Sequence, residues 1–261
     1  MIDEHKTEVE TLRAQLMEWK QGVAPESAFW DRWMQQRGGE WPEDFQKRFD
    51  PNTALDPWVG AAARGLSKKE VSILDVGSGP VPSIGYKLDG IRLKIIAVDP
   101  LASIYNSLLA RYGLRPPVAP TFAPAEELSS FFDLNSFDIV HCRNALDHSF
   151  DPVRGIREML KVVHVGGVIL LRHHRNEAEY ESYSGFHHFN FDCRDGRFVI
   201  WNRSITVDLA GSLDGQVQIS CETKEFVETV IGKIKDAPEP TQSHRNRMRQ
   251  YLEAFVGAVS G

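Results

Sequence analysis

The chain has 261 residues, 42% hydrophobic and 25% charged, a composition that is typical of a soluble globular protein with a sizeable core. Its net charge of −6 gives no electrostatic basis for binding nucleic acid. The three cysteines are far apart, which argues against a disulfide framework or a paired-cysteine zinc site and favours a reducing cytoplasm.

The first seventy residues predict a helical cap. An apolar stripe with helical spacing runs from Glu4 to Lys20, and a second helix is expected from Pro25 to the glycine pair at 38–39. A proline-punctuated stretch with aromatic side chains follows, and we interpret its tryptophans as packing residues. The cap is expected to cover the mouth of a site. Self-association through the first helix, and with it a homodimer, stays open.

The pattern changes at Val71, where short apolar strands begin to alternate with helical stretches. Strands are expected at residues 71–76, 93–98, 117–122, 137–142 and 166–172, and helices at residues 84–88, 103–112, 125–132 and 152–163. This alternation predicts an α/β fold with a doubly wound, mostly parallel sheet and right-handed crossovers. In such sheets the ligand lies beyond the carboxyl ends of the strands.

After Arg172 a polar and aromatic insertion, residues 173–196, breaks the alternation, and a loop of this length is usually functional. A hairpin is expected around Asn202, and two closing strands over "QVQISCE" and "FVETVIGKI" bring the sheet to seven. The expected organisation is a cap at residues 1–70, a main domain at 71–235, and a linker and helix at 236–261, with the terminal helix from Ser243 to Val259. No apolar run is as long as a membrane span, so no membrane is expected as a partner.

The stretch "VSILDVGSGP" ends a strand in an acid and two glycines. Gly77 and Gly79 allow a tight turn and a close approach to a ligand, and Asp99 at the end of the next strand suits ribose hydroxyls. A dinucleotide fingerprint would need a third glycine where Pro82 stands. Asp75 would repel a pyrophosphate but attract the cationic amino acid of S-adenosylmethionine (SAM). The charges therefore favour SAM over NAD.

At these residues the chain resembles the class I SAM-dependent methyltransferases, over residues 71–172. "LDVGSGP" and "IIAVDP" resemble the first two motifs of that family, and "APAEEL" takes the place of the adenine-contacting motif. "FDIVHCRNALDH" and "EMLKVVHVGGVILL" are similar to the segments around the fourth and fifth strands. The resemblance implies a Rossmann-like methyltransferase fold with SAM as cofactor.

The same resemblance implies a set of cofactor-binding residues at the ends of the strands. They are Asp75, Gly77, Ser78, Gly79, Asp99, Pro100, Ala125, Glu126, Arg143 and Asn144. Pro124 stands where many members carry an aspartate that accepts from adenine, so the adenine contacts fall to Ala125 and Glu126.

Methyl transfer to a hydroxyl needs the acceptor aligned with the methyl group and often deprotonated. His148 follows the fourth strand, where the resemblance places the methyl group, and it is the predicted catalytic base. Asp147 is predicted to orient the imidazole. The alternative is that His148 only caps the turn.

Five residues in or beside the insertion are predicted to contact the acceptor: His173, His174, Tyr183, His187 and His188. Adjacent histidines on an extended segment point in opposite directions, so at most one of each pair should face the pocket. Neither pair has the spacing of a helical zinc site, and no bound metal is predicted. A weak Mg²⁺ site at Asp147 and Asp192 stays open.

The sequence therefore predicts a cytoplasmic methyltransferase that acts on a hydroxyl of a small polar acceptor, with a sugar or glycoside as first choice. The absence of "NPPY" after the fourth strand argues against methylation of adenine or glutamine nitrogen. A phenol or an amine as acceptor stays open, and so does a SAM-binding protein without catalysis. A pure binding protein would have no need of His148.

Overall fold

The computed structural model of the chain describes residues 12–213 and 215–236. It begins with the helices α1, described over residues 12–19, α2 (Val23–Gln35), α3 (Pro42–Phe49) and α4 (Pro57–Gly65). Pro42 and Pro57 each open a helix, where the missing N–H costs nothing. The expected start of α1 at Glu4 and the expected helix at 243–259 lie outside the described residues.

Nine strands follow along the described chain. They are β1 (Glu70–Val76), β2 (Arg92–Val98), β3 (Phe137–Arg143), β4 (Val163–His173), β5 (Asn190–Arg194), β6 (Arg197–Trp201), β7 (Thr206–Asp208), β8 (Val217–Thr223) and β9 (Val227–Lys233). The main sheet has the order β2-β1-β3-β4-β9-β8. Its first four strands are parallel and the last two antiparallel. The predicted doubly wound, mostly parallel α/β sheet is therefore confirmed.

The predicted count of seven strands is wrong, because the main sheet has six in the described part of the chain. The expected strand at residues 117–122 is reduced to a single bridge between Thr121 and Val98. Prolines at 116, 117 and 120 explain this, since proline has no N–H to donate to a ladder.

The helix predicted at residues 84–88, directly after the glycine turn, is also wrong. These residues form a loop in which Gly85 has a φ of 80° and packs so closely on Ala54 that a Cβ would overlap its carbonyl oxygen. The other crossovers are helical as expected. They contain α5 (Ala102–Arg111), a 3₁₀ helix (Ala125–Ser130) and α6 (Pro152–Val162). The glycine turn is therefore not followed directly by a helix N-terminus.

The insertion is more regular than a loop. It contains α7 (Glu177–Tyr180) and β5, and β5 joins the β6–β7 hairpin in a small antiparallel sheet. The hairpin turn was predicted around Asn202, whose Oδ1 accepts from the N–H groups of Ser204 and Ile205 at 2.9 and 3.0 Å. A short helix, α8 (Leu209–Ser212), leads to β8.

The cap helices divide between two surfaces of the molecule. In α4, Val59 and Ala63 are buried against Val71 and Ile73 of β1, so α4 belongs to the packing of the sheet. In contrast, α2 and α3 form an aromatic cluster around the buried Trp33. None of the described helices has the length and apolar character that crossing a membrane requires.

Candidate active site

The glycine turn after β1 depends on its two glycines. Gly77 and Gly79 have φ values of 67° and 63°, a backbone region that favours glycine. A Cβ on Gly77 would overlap Ala145, and one on Gly79 would lie 3.2 Å from the ring of Trp30. The backbone N–H of Gly77 donates to Val98 O at 2.9 Å, which joins the ends of β1 and β2. The turn is therefore packed so closely that a side chain larger than that of glycine would crowd its neighbours at both positions.

Asp99 fixes the other side of this turn. Its Oδ2 accepts from Gly79 N at 3.0 Å, and its Oδ1 accepts from Leu101 N at 2.8 Å. Burial raises the pKa of Asp99 to about 7, although these two hydrogen bonds lower it. Asp99 therefore joins the ends of two strands at the point where the sequence places a ribose.

Asp75 has a buried partner that the sequence analysis missed. Asp75 on β1 and His141 on β3 are directly opposite in the parallel register, and His141 Nδ1 lies 2.6 Å from Asp75 Oδ1. The signal was available, because both side chains are polar and lie one or two residues from the end of an apolar strand. The imidazole fixes the orientation of the Asp75 carboxylate toward the turn.

A cavity of about 820 Å³ opens above the carboxyl ends of the parallel strands. This volume is within the usual range of small-molecule sites. All ten predicted cofactor residues line it: Asp75, Gly77, Ser78, Gly79, Asp99, Pro100, Ala125, Glu126, Arg143 and Asn144. The structure therefore gathers residues from four separate segments of the chain at one site.

Glu126 is buried at the edge of this cavity. Its Oε1 accepts from Phe150 N at 3.0 Å and from Asp151 N at 3.3 Å, so it organises the segment after β3. Burial raises the pKa of Glu126 to about 7. The Glu126 carboxyl group therefore both lines the cavity and holds the backbone of residues 150–151 beside it.

The cap contributes a wall of aromatic and acidic side chains. Trp19, Glu26, Trp30 and Trp41 all line the cavity, with Trp30 Nε1 donating to Glu26 Oε1 at 2.7 Å. Trp41 was interpreted from the sequence only as a packing residue. Trp41 is 54% exposed, so it is available to a ligand at this wall.

The predicted catalytic pair lies in a cluster of three side chains after β3. Asp147 Oδ2 is 3.3 Å from His148 Nε2 and 2.8 Å from His187 Nδ1. Burial raises the pKa of Asp147, but the nearby His148 and His187 lower it by a larger amount. The net pKa of Asp147 is therefore below the ordinary aspartate value. Burial lowers the pKa of His187 while its bond to Asp147 raises it, and the net pKa is raised. We call these three residues the Asp147 cluster.

Two further carboxylates, Glu177 and Glu181, line the cavity beside the Asp147 cluster. Burial and the charge of Asp147 raise the pKa of Glu177 to about 7. Neither residue was predicted from the sequence. They extend the polar side of the cavity along α7.

The five predicted acceptor residues are divided among three places. His174 and His187 line the cavity. Tyr183 and His188 line a second cavity of about 640 Å³ between α1 and the β6–β7 turn. His173 lines neither described cavity, because its ring is buried against Phe191 at 4.4 Å. Its burial lowers its pKa to about 3, so it is a neutral core residue.

The pairs of adjacent histidines do point apart. Only His174 of the first pair and His187 of the second face the main cavity. The burial of His174 and the charge of Arg143 lower the pKa of His174, and burial lowers the pKa of His188. The expected acceptor contacts of His173, Tyr183 and His188 are therefore absent from the main cavity.

Asp192 does not join Asp147. Its carboxylate oxygens accept from Arg175 Nε at 2.8 Å and from Arg194 Nε at 3.0 Å. These arginines satisfy the carboxylate at the start of the small sheet. The Mg²⁺ site that the sequence left open at Asp147 and Asp192 is not supported.

Residues 74–171 match the family model described as a methyltransferase domain. The search of curated proteins finds no relative that matches this chain. Among solved structures, a protein of Methanococcus maripaludis described as an S-adenosyl-L-methionine-dependent methyltransferase has a TM-score of 0.45 at 12% identity, over 70% of this chain and 87% of its own.

Two other solved structures are SAM-dependent methyltransferases. The one from Aquifex aeolicus has a TM-score of 0.40 at 14% identity, over 72% of this chain and 92% of its own. The one from Methanosarcina mazei has a TM-score of 0.41 at 16% identity, over 70% of this chain and 100% of its own. The match to the methyltransferase domain covers residues 74–171 of this chain, and these solved structures share 12–16% identity with it.

The residues of the cavity fit SAM as the cofactor. Asp75, Asp99 and Glu26 line the cavity with carboxyl groups. Carboxylates attract the ammonium and sulfonium groups of SAM and would repel a pyrophosphate. These carboxyl groups therefore suit a cationic nucleoside.

Proposed function

We propose that this chain, with its methyltransferase domain at residues 74–171, transfers a methyl group from SAM to a hydroxyl group of a small polar acceptor. One observation carries the proposal. His148 and His187 of the Asp147 cluster line the same cavity as the glycine turn, so a group that can accept a proton lies in the same cavity as the cofactor site. That combination suits an attacking hydroxyl, which must lose its proton as it reacts.

When bound, SAM supplies a methyl group on a positively charged sulfur. The contribution of this chain is to place an acceptor hydroxyl next to that methyl group and to remove its proton at the Asp147 cluster. His148, the base predicted from the sequence, and His187 both contact Asp147 there. The aromatic wall of the cap limits the access of water, which preserves the activated hydroxyl for transfer.

A sugar or glycoside is the proposed acceptor class. Glu177, Glu181 and Asn144 offer hydrogen-bonding groups on one side of the cavity, and Phe29 and Trp41 offer aromatic faces. Polyhydroxylated rings use both kinds of contact, with hydrogen bonds at the hydroxyls and stacking on the ring face. The mixed lining supports such an acceptor over an apolar one.

The test is a panel of saccharides, glycosides, phenols and amines incubated with labelled SAM. We expect methyl transfer to a hydroxyl of a saccharide or glycoside. The variant His148→Ala should lower kcat by roughly 10²–10⁴-fold and leave SAM affinity close to that of the parent. Transfer to amines alone would contradict the hydroxyl proposal, and SAM binding without any transfer would indicate a binding protein.

The matched control is His164→Ala. His164 also pairs with an aspartate, with its Nε2 2.6 Å from Asp138 Oδ1, and its side chain is exposed to the same 24% as that of His148. It lies at the amino end of β4, at the opposite end of the sheet from the cavity. This variant should keep the parental kcat, which would show that the effect at His148 is local.

A further inference from the structure

We propose that Asp147, His148 and His187 form a binding site for one divalent transition-metal ion, and that zinc is the ion their donors suit best. The role of this ion in catalysis rests on the proposed function, but the site itself stands on geometry alone. No bound metal was predicted from the sequence, in which His187 is forty residues away from Asp147.

The three donor atoms already have nearly the spacing that a cation imposes. They all lie within 4.8 Å of one another, with Asp147 Oδ2 at 3.3 Å from His148 Nε2 and 2.8 Å from His187 Nδ1. Ligands at about 2.0–2.2 Å from a tetrahedral zinc ion lie roughly 3.3–3.6 Å from one another. Small side-chain rotations therefore suffice to admit the ion.

The chemistry of the donors selects the metal. Two imidazole nitrogens and one carboxylate oxygen form a common ligand set of catalytic zinc sites, in which the remaining position is open. Magnesium prefers oxygen ligands alone, so this set disfavours it. Asp147 is 1% exposed, whereas the two imidazoles are 24% and 22% exposed and line the cavity. The open position would therefore face the cavity.

A second observation points to a ligand at this place. Asp147 Oδ1 is buried and has no hydrogen-bond partner among the described residues. A buried carboxylate oxygen without a partner is costly unless a cation compensates it. A metal ion on this carboxylate would supply that compensation.

The backbone on both sides of the site is fixed. Trp19 Nε1 donates to His148 O at 2.9 Å, and His188 N donates to Asp147 O at 3.1 Å. The second bond ties the insertion to the segment after β3, so His187 is held beside Asp147 before any ion binds. Such preorganisation lowers the cost of binding.

A metal ion here explains how a weakly acidic hydroxyl becomes a nucleophile. Zinc lowers the pKa of bound water to about 7 and acts on a coordinated hydroxyl in the same way. In the zinc-bound form His148 and His187 ligate the ion and do not take the proton, so the hydroxyl proton passes to solvent. The oxygen attacks the methyl carbon of SAM, and the carbon–sulfur bond breaks. The products are a methyl ether and S-adenosylhomocysteine.

The experiment begins with the full chain treated with a chelator and then titrated with Zn²⁺ in competition with a chromophoric chelator. We expect one equivalent to bind, and Co²⁺ in its place to give the visible absorption of a nitrogen- and oxygen-ligated ion. His187→Ala and Asp147→Asn should each weaken Zn²⁺ binding at least about 100-fold. His164→Ala is the control and should bind Zn²⁺ like the parent.

The inference is overturned if the chelator-treated parent binds no stoichiometric Zn²⁺ or if His187→Ala binds it as tightly as His164→Ala. SAM affinity, measured on every variant, shows whether the fold is retained. Full methyl transfer after removal of metal would refute the catalytic role of the ion and leave the proposed function intact. Zinc binding by a chain that does not bind SAM would refute the proposed function and leave the metal site.

Discussion

At the scale of single residues, Asp99 shows how the free protein prepares its cofactor site. Each of its carboxylate oxygens already accepts one backbone N–H, from Gly79 and from Leu101. Each oxygen can accept a second hydrogen bond, so both remain available to the two ribose hydroxyls. These two hydrogen bonds therefore orient the carboxylate and leave each oxygen able to accept another hydrogen bond.

We predict that Asp99→Asn weakens SAM binding about 30-fold, or about 2 kcal/mol, because charge-assisted hydrogen bonds to the ribose are lost. Titration calorimetry measures the change. Asp195→Asn is the control, since Asp195 is exposed at the β5–β6 turn with a φ of 52° that asparagine tolerates. Equal SAM affinities in the two variants would remove Asp99 from the cofactor site.

The same carboxyl group gives a pH dependence. Burial raises the pKa of Asp99 to about 7, so below that pH the free protein holds it protonated. The carboxylate is the better acceptor for two hydroxyls, and SAM affinity should therefore rise as pH increases from about 5.5 to 7.5 and then level off. Calorimetry across this range measures it. A parental affinity that is constant with pH, or an Asp99→Asn variant with the same rise, would contradict the assignment.

Gly77 permits a test in which backbone strain is matched. Gly77→Ala and Gly113→Ala both place a side chain at a similar positive φ, 67° and 62°. A Cβ at 77 overlaps Ala145, whereas nothing lies within 4 Å at 113. We expect Gly77→Ala to lower the melting temperature more than Gly113→Ala and to abolish SAM binding, as measured by thermal denaturation and calorimetry. Equal losses would mean that strain alone matters.

At the scale of elements, the sequence predicted the buried strands better than the segments between them. β1 and β3 are mostly apolar at their centres and buried over nearly their whole length, as parallel strands covered on both faces are. The expected helix at 84–88 failed because Pro82 and Gly85 interrupt it, and the third strand failed because of its prolines. In both cases the punctuating residues were visible, but the prediction followed the alternation of strands and helices.

The aromatic cluster of α2 and α3 should carry much of the stability of the cap. Trp33 is 4% exposed and packs against Phe45 with ring centroids 5.0 Å apart. Trp33→Ala should cost about 3–5 kcal/mol of unfolding free energy, as buried aromatic truncations do. Trp41→Ala, at a tryptophan that is 54% exposed, should cost far less. Denaturant unfolding measures the loss of unfolding free energy in both variants. Equal losses would contradict a stabilising role for the cluster.

At the scale of the whole molecule, the site forms where three parts of the chain converge. The strand ends supply Asp75 and Asp99, the segment after β3 supplies His148, and the insertion supplies His187. Residues at strand ends could be predicted, because parallel strands bring their carboxyl ends together. The pairing of Asp147 with His187 could not, since it depends on how the insertion folds back over the sheet.

This convergence predicts that SAM binding changes the cap as well as the sheet. Glu26 and Trp30 of α2 line the cavity, and Trp30 lies against the Gly79 turn. A ligand held between α2 and the sheet must stabilise both against local opening. Saturating SAM should therefore slow amide hydrogen exchange in α2 as well as in residues 76–101. No residue of β8 lines the cavity, so β8 serves as the internal reference. If exchange in α2 is unchanged while that in residues 76–101 slows, the cap only shields the cavity and does not hold the cofactor.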